Sequence, residues 1–100
     1  FPAVEDITVG ADGRPRLLRV GVDGMAEVST IDAHGEITDA QTYGVGWFPR
    51  RIAAGADGFT RLLWADAGGG AHVWLLNPDN SLKASVSQPA RAASHKKEKR

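Results

Sequence analysis

"ADGFTRLLWADAGGGAHVWLL", residues 56–76, holds two short apolar runs separated by the glycines of AGGG. Side chains on a strand alternate between faces, so Leu62 and Trp64 share one face and Leu63 takes the other. By the same rule Val73 and Leu75 oppose Trp74 and Leu76. Both strands are thus apolar on both faces. A sheet wetted on one side alternates apolar and polar residues, so inner strands of this kind expect cover on both sides. The Gly68-Gly69-Gly70 run lacks the Lys-Ser/Thr and following helix of a phosphate loop, and reads as a hairpin turn.

The stretch is also half of a repeat. Residues 7–37 align without a gap on residues 52–82 at a constant offset of 45, with 11 of 31 columns identical. Identical columns include Gly10/Gly55, the Ala-Asp-Gly turns at 11–13 and 56–58, and Arg16-Leu17-Leu18 with Arg61-Leu62-Leu63. Gly24/Gly69, Ala26/Ala71 and Val28/Val73 continue the match. Gly, Asp and Asn clusters supply the positive φ of tight hairpins, and mark turns at ADG, VDG, AHGE, AGGG and PDNS. Between the turns the pattern predicts strands over Glu5 to Val9, Pro15 to Val20, Ala26 to Asp32, Ile37 to Tyr43, Arg51 to Ala54, Thr60 to Ala65, Ala71 to Asn77 and Leu82 to Ser87. That is an all-β chain of two four-stranded antiparallel meanders, residues 1–45 and 46–88, followed by a tail, 89–100.

Composition bounds the rest. One hundred residues make one small unit, and the 42% apolar and 24% charged residues are ordinary globular values. The absence of cysteine excludes a disulfide framework and a thiolate zinc site, so stability must come from packing. The formal net charge of zero conceals a tail with Arg91, Lys96, Lys97, Lys99 and Arg100 against the single acid Glu98. Such a segment is expected to be solvated and disordered, with contact to nucleic acid the sharper but less favoured reading. No apolar run approaches the roughly 20 residues of a membrane helix, and no signal peptide opens the chain, which begins FPAVED as a processed or excised piece would.

The pattern "YGVGWFPRRIAAGADGFTRLLWADAGGGAHVWLLNPDNSL" resembles a tandem repeat of bacterial, largely secreted proteins. In those repeats a Tyr-Gly and Gly-Trp linker precedes an IAxGxDGxTRLLW strand pair, a D-G turn and an AxxWxL strand. The resemblance spans about residues 4 to 87 and implies blades like those of a β-propeller, with an accessory or binding role beside enzyme domains. Arg19 and Ser29 stand where the second repeat has Trp64 and Trp74, so the first copy is the divergent one. Closed propellers take about four to eight blades, and two blades leave outer faces bare. The segment Gln88-Pro89-Ala90-Arg91-Ala92 lacks the Tyr-Gly and Gly-Trp that would start a third unit. The chain is therefore expected to be either part of a longer array or a homo-oligomer that closes a ring, with an even blade number if identical two-blade chains close it.

The candidate ligand-binding residues are Trp47, Tyr43, Trp64, Trp74 and Arg61. An indole face matches the apolar face of a pyranose, and its N–H can donate a hydrogen bond. Trp64 and Trp74 lie mid-strand in apolar context and read first as packing residues, whereas Trp47 sits in the linker as either a ligand platform or a structural latch. Arg16 and Arg61 are expected to pair with carboxylates of the neighbouring blade or to recognise an acidic ligand. Asp12 and Asp57 lack the oxygen-rich ladder of a calcium loop and read as turn formers, as do Asp32, Asp66, Asn77 and Asp79. His34, His72 and His95 show no zinc spacing, and no carboxylate stands at a motif spacing to orient one. A Ser-His-Asp set could still assemble from distant residues, but no G-x-S-x-G elbow marks a nucleophile. The expected function is a non-catalytic binding or interaction module, with lectin-like carbohydrate binding its most concrete form and no cofactor, metal, nucleic acid or membrane partner. The alternative is a structural accessory portion of a larger secreted enzyme, such as a glycoside hydrolase, without a ligand of its own.

Overall fold

The computed structural model describes residues 3–89, which form eight strands and no helix. The first sheet holds β1 (Ala3–Val9), β2 (Pro15–Val20), β3 (Ala26–Ile31) and β4 (Ile37–Tyr43). The second holds β5 (Phe48–Ala54), β6 (Thr60–Ala65), β7 (Ala71–Leu76) and β8 (Leu82–Gln88). Strands pair in sequence order and antiparallel throughout, so the chain is two successive four-stranded meanders. The expectations for residues 90–100, including the disordered tail and His95, lie outside the described residues.

Strand boundaries differ from the sequence pattern mainly at two starts. β1 begins at Ala3 and β5 at Phe48, each before the expected residue. β5 carries Pro49, which argues against a strand interior, but β5 is the first strand of its sheet and pairs on one side alone. A missing N–H is tolerated at such an edge. Both first strands also bulge at one column of the repeat, between Val4 and Asp6 and between Pro49 and Arg51.

The repeated G-A-D-G-x-x-R segment is a single device used twice. In the first copy Gly10 N donates to Arg14 O at 2.8 Å, and Asp12 Oδ1 accepts Arg14 N at 2.9 Å and Arg16 Nη1 at 2.7 Å. In the second, Asp57 Oδ1 accepts Phe59 N at 3.1 Å and Arg61 Nη1 at 2.7 Å. The guanidinium lies over Gly10 or Gly55, where a Cβ would collide with it. That close approach explains the glycine in each copy. Each arginine therefore pairs with the aspartate four residues earlier in its own sheet, not with a carboxylate of the neighbouring blade as expected from sequence.

The two sheets pack face to face, but they use different faces. From the first sheet Arg16, Leu18, Ala26, Val28 and Thr30 are buried. From the second they are Ile52, Thr60, Leu62, Trp64, Trp74 and Leu76. Register places Arg16 opposite Thr30 and Leu18 opposite Val28 on one face, and Leu62 opposite Trp74 on the other. At the 45-residue offset the partners of Arg16, Leu18, Ala26, Val28 and Thr30 are Arg61, Leu63, Ala71, Val73 and Leu75, all on the outward face of the second sheet. The stacking is thus head to tail. The β5 edge is closed by β1: Asp6 Oδ2 accepts Ile52 N at 2.8 Å and Thr8 Oγ1 accepts Ala54 N at 3.1 Å.

The β7–β8 turn locks the sheets at the opposite side. Asn80 is fully buried at φ 70°, and its Nδ2 donates to Thr30 Oγ1 at 2.9 Å and to Asp39 O at 3.0 Å. Tyr43 donates its hydroxyl to Asn80 O at 2.5 Å, and Arg16 Nη2 donates to Pro78 O at 3.0 Å. Buried hydrogen bonds of this type are costly to break because the abandoned partner stays dry.

Two outcomes follow from this packing. Trp64→Ala removes the largest fully buried side chain and is expected to cost about 3–5 kcal/mol, read as a lower urea midpoint at unchanged slope. The guanidiniums and turn amides hold the Asp12 and Asp57 carboxyls down to about 2, from 3.8. A depressed folded-state pKa contributes stability that is complete above the unfolded value and lost as pH falls through the folded one. Acid titration followed by circular dichroism should therefore show stability falling between pH 3.8 and about 2, and Asp57→Asn should flatten that fall.

Candidate functional site

The aromatic sequence candidates converge on the connector between the sheets and the strand ends around it. Tyr43 ends β4, and Trp47 directly precedes β5. Gly46 has φ 81°, a conformation that turns the chain just before Trp47 and favours glycine. At Gly44 a Cβ would collide with the Met25 sulfur, so the Tyr-Gly of the linker is a close-approach position as well.

Four aromatic rings meet there. Trp64 and Trp74 lie tilted with centroids 5.0 Å apart, and Tyr43 meets Trp74 edge-on at 5.1 Å and 87°. Trp47 meets Trp64 at 6.1 Å and Trp74 at 6.4 Å, both edge-on, and stacks flat on His72 at 3.6 Å and 2°. Edge-to-face and offset pairs of this kind contribute roughly 0.5–1.5 kcal/mol each beyond area burial. Trp64 is fully buried and Trp74 nearly so, and neither offers a face to a ligand. Trp47 is half-buried, with one ring face taken by His72. Tyr43 is held by its bond to Asn80, and burial raises its hydroxyl pKa, helped by the charge of Asp79.

What remains open beside Trp47 is a groove of about 250 Å³, lined among others by Asp23, Met25, Gly44, Gly46, Trp47 and Phe48. Phe48 is exposed, which is unusual for a phenylalanine at the start of a strand. Arg61 lies far from this groove in register, on the outward face of the second sheet, with both terminal nitrogens bonded to Asp57 at 2.7 and 2.8 Å. The structure therefore separates Arg61 from the aromatic candidates.

A Ser-His-Asp set does assemble, around His72. Its Nε2 is 2.9 Å from Asp66 Oδ2 and its Nδ1 is 2.7 Å from Ser87 Oγ. With Asp66 ionised, Nε2–H donates to the carboxylate and a neutral ring accepts the Ser87 hydroxyl. The hydrogen bond from His72, followed by the Gly70 amide, lowers the Asp66 pKa. Sequence spacing gave no carboxylate to orient His72, yet the β6–β7 hairpin supplies one. His72 and Ser87 are direct cross-strand partners, so their contact follows from the β7–β8 ladder. Asp66 Oδ1 meanwhile accepts Gly68 N at 3.0 Å and Gly70 N at 2.8 Å. Hairpin, ladder and ring stack thus combine into a latch that fixes the Trp47 indole.

Asn80 was the other residue hidden from the sequence reading. Its repeat partner is Gly35, and both sit at positive φ. Asparagine is the residue that most readily replaces glycine at positive φ, and the Asn80/Gly35 difference between the copies was the available signal.

Removing the latch is expected to loosen the connector while leaving the sheets intact. His72→Ala should cost about 1–2 kcal/mol and should raise the acrylamide quenching of the Trp47 emission, measured with Trp64 and Trp74 as buried references. Against known proteins, no family model and no curated protein matches the chain. Among solved structures it is similar to a protein of unknown function from Bacteroides caccae, determined by crystallography at 1.35 Å resolution, with a TM-score of 0.60 and 11% identity. The match takes in 84% of this chain and 28% of that one, so this chain spans little more than a quarter of the neighbour, and the likeness is one of fold.

Proposed function

We propose that the protein is a non-catalytic binding module of propeller-like repeats, and that its ligand groove lies beside Trp47 and Phe48. The observation that supports this reading is the groove of about 250 Å³ at the connector, where an exposed phenylalanine and a latched tryptophan edge border Asp23 and glycine backbone. A saccharide is the ligand class that suits it, because apolar C–H faces stack on aromatic rings while hydroxyls bond to a carboxylate and to backbone groups. Preorganisation by His72 lowers the ordering cost of binding. The Ser87–His72 contact follows from cross-strand pairing and His72 stacks flat on Trp47, which supports a structural role for the set.

A second reading has its own support. Val4, Ile7, Val9, Val73 and Val86 are exposed, and the outward faces of both sheets are rich in such residues. Exposed apolar faces of this extent mark interaction surfaces, as in a structural portion of a larger secreted enzyme. Glycan-array binding decides for the first reading: the chain is expected to retain simple saccharides, and Trp47→Ala together with Phe48→Ala should weaken retention about tenfold. Absence of retention on any array, or retention indifferent to both substitutions, overturns the groove assignment.

A further inference from the structure

We propose that the outward face of the second sheet is a docking surface for the outward face of the first sheet of another copy of this chain, stacked head to tail. The proposal depends on the packing of the two repeats and is independent of the saccharide groove. Its basis is that the chain already contains one such interface. The outward face of the second sheet is the repeat equivalent of the buried face of the first, and the outward face of the first is the repeat equivalent of the buried face of the second. A second copy placed in the same sense therefore continues an arrangement the fold has built once.

Arg16 and Arg61 show what is present and what is unfilled. Arg16, inside the existing interface, has a side chain 4% exposed; it gives Nη1 to Asp12 and reaches the next sheet with Nη2, to Pro78 O. Arg61 is 39% exposed and folds both nitrogens back on Asp57. In the stacked copy, the carbonyl at the Pro78 position belongs to Ala33, and Arg61 Nη2 reaches it by giving up its 2.8 Å bond to Asp57 Oδ2. The apolar part of the surface is conserved within the chain: Leu63, Ala71 and Val73 repeat the buried Leu18, Ala26 and Val28.

Two of the differing columns change on both sides together, whereas Arg19 replaces the buried Trp64 against an unchanged leucine, alanine and valine. Asn80 needs the Thr30 hydroxyl in the existing interface; at the proposed one Gly35 replaces the asparagine and Leu75 replaces the threonine. Trp74 packs on Tyr43 in the existing interface; at the proposed one Ser29 replaces the tryptophan and Gln88 replaces the tyrosine. Asp6 and Thr8, however, are replaced by Arg51 and Ala53, which cannot accept the edge amides of β1. The proposed contact is therefore weaker than the covalently linked one and depends on concentration.

A head-to-tail contact uses two different surfaces, so association proceeds beyond a dimer, to a ring where the rotation closes and to an open array where it does not, and each surface can be disabled alone. Ile7, 57% exposed on the first sheet, and Val73, 37% exposed on the second, permit this without touching the core. Sedimentation velocity of the 100-residue chain from about 1 to about 300 µM should show species larger than the monomer growing with concentration. Ile7→Lys and Val73→Lys should each weaken self-association about tenfold or more, with near-ultraviolet circular dichroism of the tryptophans unchanged. An equimolar mixture of the two variants keeps one intact surface of each kind, and should form a 1:1 dimer that grows no further. A wild-type chain that stays monomeric over the whole range overturns the proposal. So does an Ile7→Lys variant that self-associates as well as wild type, because that contact would not involve the first sheet. Glycan retention is read on a separate assay and can fail or succeed without affecting this outcome.

Discussion

The structure depends on burying Leu62, Trp64, Trp74 and Leu76 of one sheet against Leu18, Ala26 and Val28 of the other. Neither sheet alone can remove these side chains from water, and at about 25 cal/mol per Å² their apolar area is the main driving force available to a chain without disulfides. Everything polar at the interface is arranged around that burial. The β5 edge amides find Asp6 and Thr8, the Asn80 amide finds Thr30 and Asp39, and the Arg16 guanidinium finds Pro78. A slip of one residue in any strand would turn its apolar set outward and strand these donors, so register and docking enforce each other.

The aromatic cluster illustrates how a packing solution can leave an open groove at its edge. Trp64 and Trp74 fill the interface, and the connector brings Trp47 across their edges. His72 then covers one face of Trp47, and it is itself fixed by a turn aspartate and a cross-strand serine. The arrangement resembles hydrolytic machinery in residue type. Its hydrogen bonds lie in a hairpin and a strand ladder, beside the ring stack with Trp47.

Directional stacking also explains the asymmetry between the copies. The buried face of the second sheet carries tryptophans and Asn80 because it meets a partner sheet within the chain. The equivalent outward face of the first carries Arg19, Ser29 and Gly35. Divergence between repeats is thus concentrated where their surroundings differ, while the hairpin device of Gly10 to Arg16 and Gly55 to Arg61 is kept because it is internal to each sheet.

Much of the fold was legible in the residues alone, because its determinants are local. Period-two alternation in TRLLWA and AHVWLL, and Gly, Asp and Asn at the turns, specify strands and hairpins through backbone sterics that act over a few residues. The 45-residue offset then specifies that the unit occurs twice. Sequence also showed that both strand faces are apolar, but not which face meets which. The docking sense depends on pairs such as Asn80 with Thr30 and Arg16 with Pro78, separated by 50 and 62 residues, and no local rule relates them. For the same reason the partner of Arg16 was expected across the interface when its carboxylate lies four residues away, and the carboxylate that orients His72 went unseen. Tertiary structure decided those points because charge and hydrogen bonding are settled by distance and burial in space, to which spacing along the chain is only a partial guide.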